Sequence, residues 1–254
     1  MTTNQNPISR RTILRSGGMV VATSAFLASC GGANKTVTRI GSAETAEKLS
    51  TETVTDVSLL RTAQSVELLV AAILSDSRVT NLADKDSTPV VQAFTAAHRT
   101  AAASIAPLVT ARGGQSVDAA NDKLMVAFGE PALALIAEGK VADDVLTLAL
   151  ALETLTAATY QYFVQLTNEP ALRAEMVRLG APSSSRAAAV AQIINPGTGG
   201  FAPSLNDKGE PNVATLPSAF GSLSSITVSL GAPNEVGTRP TVVMDTPSLN
   251  SILY

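Results

Sequence analysis

The chain of 254 residues contains one cysteine, one histidine and no tryptophan. One cysteine excludes a disulfide framework, a cysteine-rich zinc site and an iron–sulfur cluster. One histidine excludes a three-histidine catalytic zinc site. Aromatic residues make up 4% of the chain, which argues against a carbohydrate-binding groove or a base-stacking nucleic-acid platform. Charged residues are scarce at 15%, and 18 basic residues face 21 acidic ones. No basic patch of the size nucleic acid needs is expected, and no nucleic-acid partner. No Gly-x-Ser-x-Gly elbow is present, and Gly197-Thr198-Gly199-Gly200 lacks the lysine of a phosphate loop. What the chain does have is a hydrophobic share of 45%, which excludes wholesale disorder.

The N-terminus reads as an address. Ser9-Arg10-Arg11-Thr12-Ile13-Leu14-Arg15 is followed by an uncharged stretch from Ser16 through Ala28. That stretch is too short for a permanent bilayer span, which needs about 20 apolar residues. It fits the apolar region of a secretion signal. Arg10 and Arg11 in this setting resemble the twin-arginine export signal. Leu27-Ala28-Ser29-Cys30-Gly31 resembles a bacterial lipobox, in which the cysteine is acylated and becomes the mature N-terminus. The plainer alternative is a short N-terminal anchor helix with an incidental cysteine. Diacylation of Cys30 supplies the two chains that stable anchoring needs. Removing residues 1–29 leaves 15 basic and 21 acidic residues, a formal charge of −6. The expected location is the outer face of the cytoplasmic membrane, on the cell-envelope side.

Residues 30–50 are small and polar and read as a tether between lipid and domain. Residues 51–195 carry helical periodicity. Leu60, Ala63, Glu67, Val70, Ala71 and Leu74 share one face, and Ser75-Asp76-Ser77 closes that segment. Ser87-Thr88-Pro89 opens a second helix running to about Val109, with Pro107 able to end or kink it. Residues 115–139, broken by Gly129-Glu130-Pro131 and Gly139, suggest a crossover of short helical pieces. Asp143-Asp144 caps a third helix over 145–166, where acids suit the helix dipole. Glu130, Glu138, Asp143 and Asp144 otherwise read as solvated surface. A fourth helical region covers 170–194, with a kink or break expected at Gly180-Ala181-Pro182. The expected fold class is all-α: a four-helix bundle with a long crossover. Residues 196–254 hold seven of the thirteen prolines. There Ile226, Val228 and Leu230 alternate with polar residues, and Thr241-Val242-Val243-Met244 is a second β-prone run. A short β-hairpin, an extended strap or disorder are the readings for this segment.

Several stretches resemble the bacterial ferritin-like domain proteins. Asp56 to Leu60 leading to Ser65-Val66-Glu67-Leu68-Leu69 resembles their first helix, and Ala97-His98-Arg99 the second. Ala149 to Glu153 with Ala157 to Tyr160 resembles the third. Ala171-Leu172-Arg173 and Arg186 to Val190 resemble the fourth. The tail, Asp245 to Ser251, resembles exported actinobacterial members. The resemblance implies a ferritin-like bundle and a two-metal site. Such a site takes a Glu from each of two helices and a Glu-x-x-His from each of the other two. Glu67, Glu153 and His98 match ligand positions. Thr95 stands where the second-helix Glu belongs. Aligning Arg186 and the alanine run puts Ser184 and Ala187 at the fourth-helix Glu and His. Half of the ligand set is therefore missing.

Two glutamates and one histidine are too few for a pair of hard divalent ions. Buried carboxylates also need partners or protons. His98 is the natural partner, with Tyr160 and Gln161 near Glu153 along its helix. The leading expectation is a lipid-anchored envelope protein with no cofactor, working as a non-catalytic interaction or scaffold module for an envelope protein partner. The alternative is a mononuclear metal-binding protein or oxidase. It would hold one iron or manganese ion on Glu67, His98 and Glu153.

Overall fold

The structure, a computed structural model, describes residues 54–196 and 226–245. The arginine pair, Cys30, the tether and the tail beyond Asp245 lie outside the described residues. Helix α1, Asp56–Ser75, starts where the Thr55 side chain accepts a hydrogen bond from the Ser58 N–H. Asp76 ends it and, through its carboxylate, caps the short α2, Ser77–Thr80. Helix α3, Ser87–Thr110, is preceded by Asp84, whose carboxylate accepts from the Asp86 and Ser87 N–H groups. The crossover contains α4, Asp122–Leu124, a π-helical turn, Met125–Gly129, and α5, Glu130–Gly139. Helices α6, Asp144–Leu166, and α7, Pro170–Ile194, follow. Strands β1, Ile226–Ser229, and β2, Thr241–Met244, form an antiparallel pair with Ile226 opposite Met244. The described residues are thus mostly helical, in line with the all-α expectation, with one hairpin added.

Helix α1 packs chiefly on α3, and α6 on α7. Gln64 bonds to the Ala102 carbonyl while Glu67 meets His98, so α1 and α3 run antiparallel. The Asp56 carboxylate accepts from the Asn168 and Glu169 N–H groups, tying the start of α1 to the α6–α7 turn. Gln64 and Ser65 also hold the crossover: Gln64 accepts from the Val117 N–H, and Asn121 bonds to Ser65 through both backbone and side chain. These bonds satisfy polar groups that the apolar helix would otherwise bury unpaired.

The apolar interior has two parts. One, built on Leu59, Leu60, Ile105, Val109, Phe163 and Met176, fills the end near the α6–α7 turn. The other, built on Leu69, Ile73, Phe128, Ile136, Leu148 and Leu152, fills the opposite end and takes in the hairpin residues Val228, Leu230 and Met244. Along α3, His98 sits between the two parts, whereas Glu67 follows Val66 and Glu153 lies between Leu152 and Leu155, at the inner edge of the second part. Helix α1 is long and apolar enough to cross a membrane, but 72% of its most apolar window is buried inside the protein. It is the core helix of the fold, with thirteen of its twenty residues buried.

Two expectations change. Helix α7 passes through Gly180-Ala181-Pro182 unbroken. Pro182 withholds an N–H from the Arg178 carbonyl, and both residues lie on the exposed face of the helix, where an unmade backbone hydrogen bond costs less than in the core. Helix α3 likewise runs through Pro107 to Thr110. Asp144 is not solvated but fully buried. It accepts from the Gly231 N–H at 2.6 Å and pairs with Arg239. Gly139 makes this docking feasible, since a Cβ there would lie 2.3 Å from the Gly231 Cα.

Candidate functional site

Each of the four long helices contributes a polar side chain to one buried chain of contacts. On α1, Glu67 lies twelve residues in, on the stripe that includes Ala63, Val70 and Ala71. On α3, His98 follows Thr95 by one turn, and both face inward. Glu153 and Tyr160 lie two turns apart on α6. Ser183 and Arg186 are one turn apart on α7.

The Tyr160 hydroxyl donates to Glu67 Oε1 at 2.6 Å. His98 Nδ1 donates to Glu67 Oε2 at 2.5 Å, and Nε2 donates to Glu153 Oε1 at 3.0 Å. Arg186 Nε donates to the same Glu153 oxygen at 2.6 Å, and Arg186 Nη2 to Ser183 Oγ at 2.9 Å. The guanidinium also lies 5.6 Å from the centre of the Phe94 ring, in cation–π range. His98 and Glu153 are wholly buried, Glu67 is 1% exposed, and Arg186 reaches the surface with 19% of its side chain exposed. Two carboxylates therefore face one imidazolium and one guanidinium, and the formal charges cancel.

The electrostatics follow from this arrangement. Burial pushes the His98 imidazolium toward neutrality. The hydrogen bonds to Glu153 and Glu67, and their charges, outweigh that and raise its pKa from 6.5 to about 9. Burial raises the Glu153 carboxyl, but His98 and Arg186 together hold it below the ordinary carboxylate range. Burial and the neighbouring Glu67 charge push the Tyr160 phenol well above its usual value. It is a hydrogen-bond donor here and not a base.

The residues do not fit a metal centre in this arrangement. A single ion needs several donors converging on one point at about 2.0–2.2 Å. His98 instead spends both ring nitrogens on carboxylates, one on each side of the ring. Both Glu67 oxygens are engaged, and Glu153 Oε1 is shared by two donors. Among the described residues, only Glu153 Oε2 and Thr95 Oγ1 are buried side-chain polar atoms without a partner. No group of three or more His, Cys, Asp or Glu among the described residues is arranged to hold a metal ion.

Glu67, His98 and Glu153 do come together. Tyr160 does not join Glu153, its neighbour on α6, but crosses to Glu67 on α1. Gln161 is exposed. On α7, neither Ser184 nor Ala187 takes part in the hydrogen bonds of this chain of contacts. Ser184 lines a groove of about 480 Å³ on the outer side of the α6–α7 pair, beside Tyr160 and Gly180. Ala187 is buried but carries no polar atom. The inward polar pair is Ser183 and Arg186, spaced as Thr95 and His98 are on α3. Sequence reasoning missed both, although Met176, Leu179, Ser183 and Arg186 with Val190 trace one helical stripe. Gly180 lets α7 approach, since a Cβ there would lie 2.7 Å from the Tyr160 Cβ.

No family model matches the chain, and no curated protein or solved structure matches it.

Proposed function

We propose that this chain is a lipid-anchored cell-envelope protein built on a ferritin-like four-helix bundle whose metal-binding positions now hold a metal-free ion-pair chain. It is exported by the twin-arginine route through Arg10 and Arg11 and held by acylated Cys30 at the outer face of the cytoplasmic membrane. It works as a non-catalytic interaction or scaffold module for another envelope protein. The observation that carries this reading is Arg186 on Glu153 with both His98 nitrogens engaged. A fixed guanidinium supplies the positive charge that a metal ion would bring, and no donor set is left facing an entry path. The alternative, one iron or manganese ion on Glu67, His98 and Glu153, requires three side chains that now face one another to turn toward a common point.

The lost-site reading is tested by restoring the site in the register of the structure. Thr95→Glu, Ser183→Glu and Arg186→His rebuild a Glu-x-x-His on α3 and on α7, with Glu67 and Glu153 retained. The triple variant is expected to bind two ferrous or manganous ions per chain, and its unfolding midpoint to rise with added metal. A variant that folds and takes up no metal would contradict the ferritin-like register.

A further inference from the structure

We propose that the groove on the outer side of the α6–α7 pair binds one molecule of an uncharged single-chain lipid with a hydroxyl-bearing head, of the monoacylglycerol class. The groove holds about 480 Å³, within the range of about 300–1,000 Å³ that small-molecule sites occupy. No charged side chain lines it. Three other cavities lined by described residues differ in this respect. They hold about 330, 320 and 250 Å³, and each carries charge: Arg78 and Lys140 in the first, Asp56, Arg112 and Glu169 in the second, Glu138 in the third. Arg178, next to the lining residue Val177, spends its guanidinium on Glu175. An ionised head would find no counter-charge in this groove, so the ligand that fits it is neutral.

Side-chain size gives the groove its form. Gly180 seats α7 against Tyr160, and the short side chains of Ala157 and Ala181 leave a trough beside that contact. The lining runs from Ala157 to Gln165 on α6 and from Met176 to Ser184 on α7. At 1.5 Å per residue that is about 12 Å along each helix, a length that suits an extended alkyl chain. The floor is already in place. Tyr160 is fixed at its far end by the hydrogen bond to Glu67 at 2.6 Å, so little has to be ordered when a ligand enters. Met176 is fully buried, and its thioether adapts to an irregular apolar partner. Val177 is 57% exposed, and a chain in the groove would cover it. Gln161, Gln165 and Ser184 offer neutral donors and acceptors to a hydroxyl head. The site is separate from the ion-pair chain and from the membrane address, and its failure would leave both standing.

The test uses the full chain carrying Cys30→Ala, so that no acyl group of its own competes, with the neutral fluorophore N-phenyl-1-naphthylamine as the probe. Monolaurin is expected to displace the probe one for one with a Kd of about 1–10 µM. Laurate, with the same chain and an anionic head, should bind weaker by about tenfold or more. Ala181→Trp, at an exposed position, fills the groove and is expected to weaken both probe and monolaurin by about twentyfold or more. Val177→Lys adds a cation at the rim and is expected to erase the preference for monolaurin over laurate. Probe and monolaurin binding that Ala181→Trp leaves unchanged would place the lipid elsewhere and overturn the proposal. Equal affinity for laurate and monolaurin in the parent, or no displacement by monolaurin, overturns it as well. A dimer in sedimentation velocity that Ala181→Trp dissociates, without uptake of monolaurin, would give the groove to a second copy of the chain and overturn the lipid assignment.

Discussion

At the residue scale, His98 decides the character of the interior. Donating from both ring nitrogens requires the imidazolium, and burial beside two carboxylates holds its pKa at about 9 against 6.5 in the unfolded chain. A raised folded-state pKa stabilises fully below 6.5, and that contribution is lost as pH rises through about 9. The loss is on the order of 3 kcal/mol. Glu153, with a lowered pKa, works in the opposite sense: its contribution is present above about 4.5, the ordinary glutamate value, and is lost on acidification below that. Urea unfolding at pH 6 and pH 9.5 is expected to show the fall at the alkaline end. His98→Gln should lower stability at pH 6 by about 3–5 kcal/mol, because it leaves buried Glu67 without its charged partner and Glu153 with Arg186 alone, and should flatten the alkaline slope. An unchanged slope in that variant would mean that another group titrates.

The convergence of Glu67, His98 and Glu153 was legible because each interrupts an apolar stripe of fixed period, and a buried charge on a helix must meet another. Arg186 was not, because a long cationic side chain near an alanine run reads equally well as surface. Its half-buried stem and its reach to α6 depend on the one-residue register of α7, which periodicity resolves poorly beside Ser183-Ser184-Ser185.

At the scale of elements, the hairpin shows a different kind of limit. The alternation of Ile226, Val228 and Leu230 announced a strand with one buried face, and that face does close the apolar end of the helices. What held it there was hidden, since Asp144 looks like an ordinary N-terminal acid of α6. Its carboxylate instead binds the Gly231 N–H and the Arg239 side chain, which also donates to the Gly231 carbonyl. Asp144→Asn removes the charge opposite Arg239 and is expected to cost about 2–3 kcal/mol. Hydrogen exchange should then rise first across residues 226–245, while the α1–α3 pair stays protected. Equal loss of protection in both would mean the hairpin is not a separable unit. The prolines teach a related lesson. Pro107 and Pro182 sit near helix ends or exposed faces, where the missing hydrogen bond is cheap, so the helices run on through both.

At the scale of the whole molecule, two statements join: the membrane address proposed from Arg10, Arg11 and Cys30, and an interior that neutralises its own charge. The address is tested in cells. Cys30→Ala should abolish lipid labelling and release the protein from the membrane fraction. Arg10→Lys with Arg11→Lys should leave precursor in the cytoplasm. Retained labelling in the first variant, or normal export of the second, would remove the corresponding part of the account.

The interior is the central claim, and metal stoichiometry of the full-length parent tests it most directly. The protein is folded in the presence of excess ferrous or manganous ion, desalted and measured by inductively coupled plasma mass spectrometry. The ion-pair chain predicts less than about one ion per ten chains, since its donors are already committed to one another. A parent that holds one or two ions per chain, and loses them in Glu67→Gln or Glu153→Gln, would contradict the account.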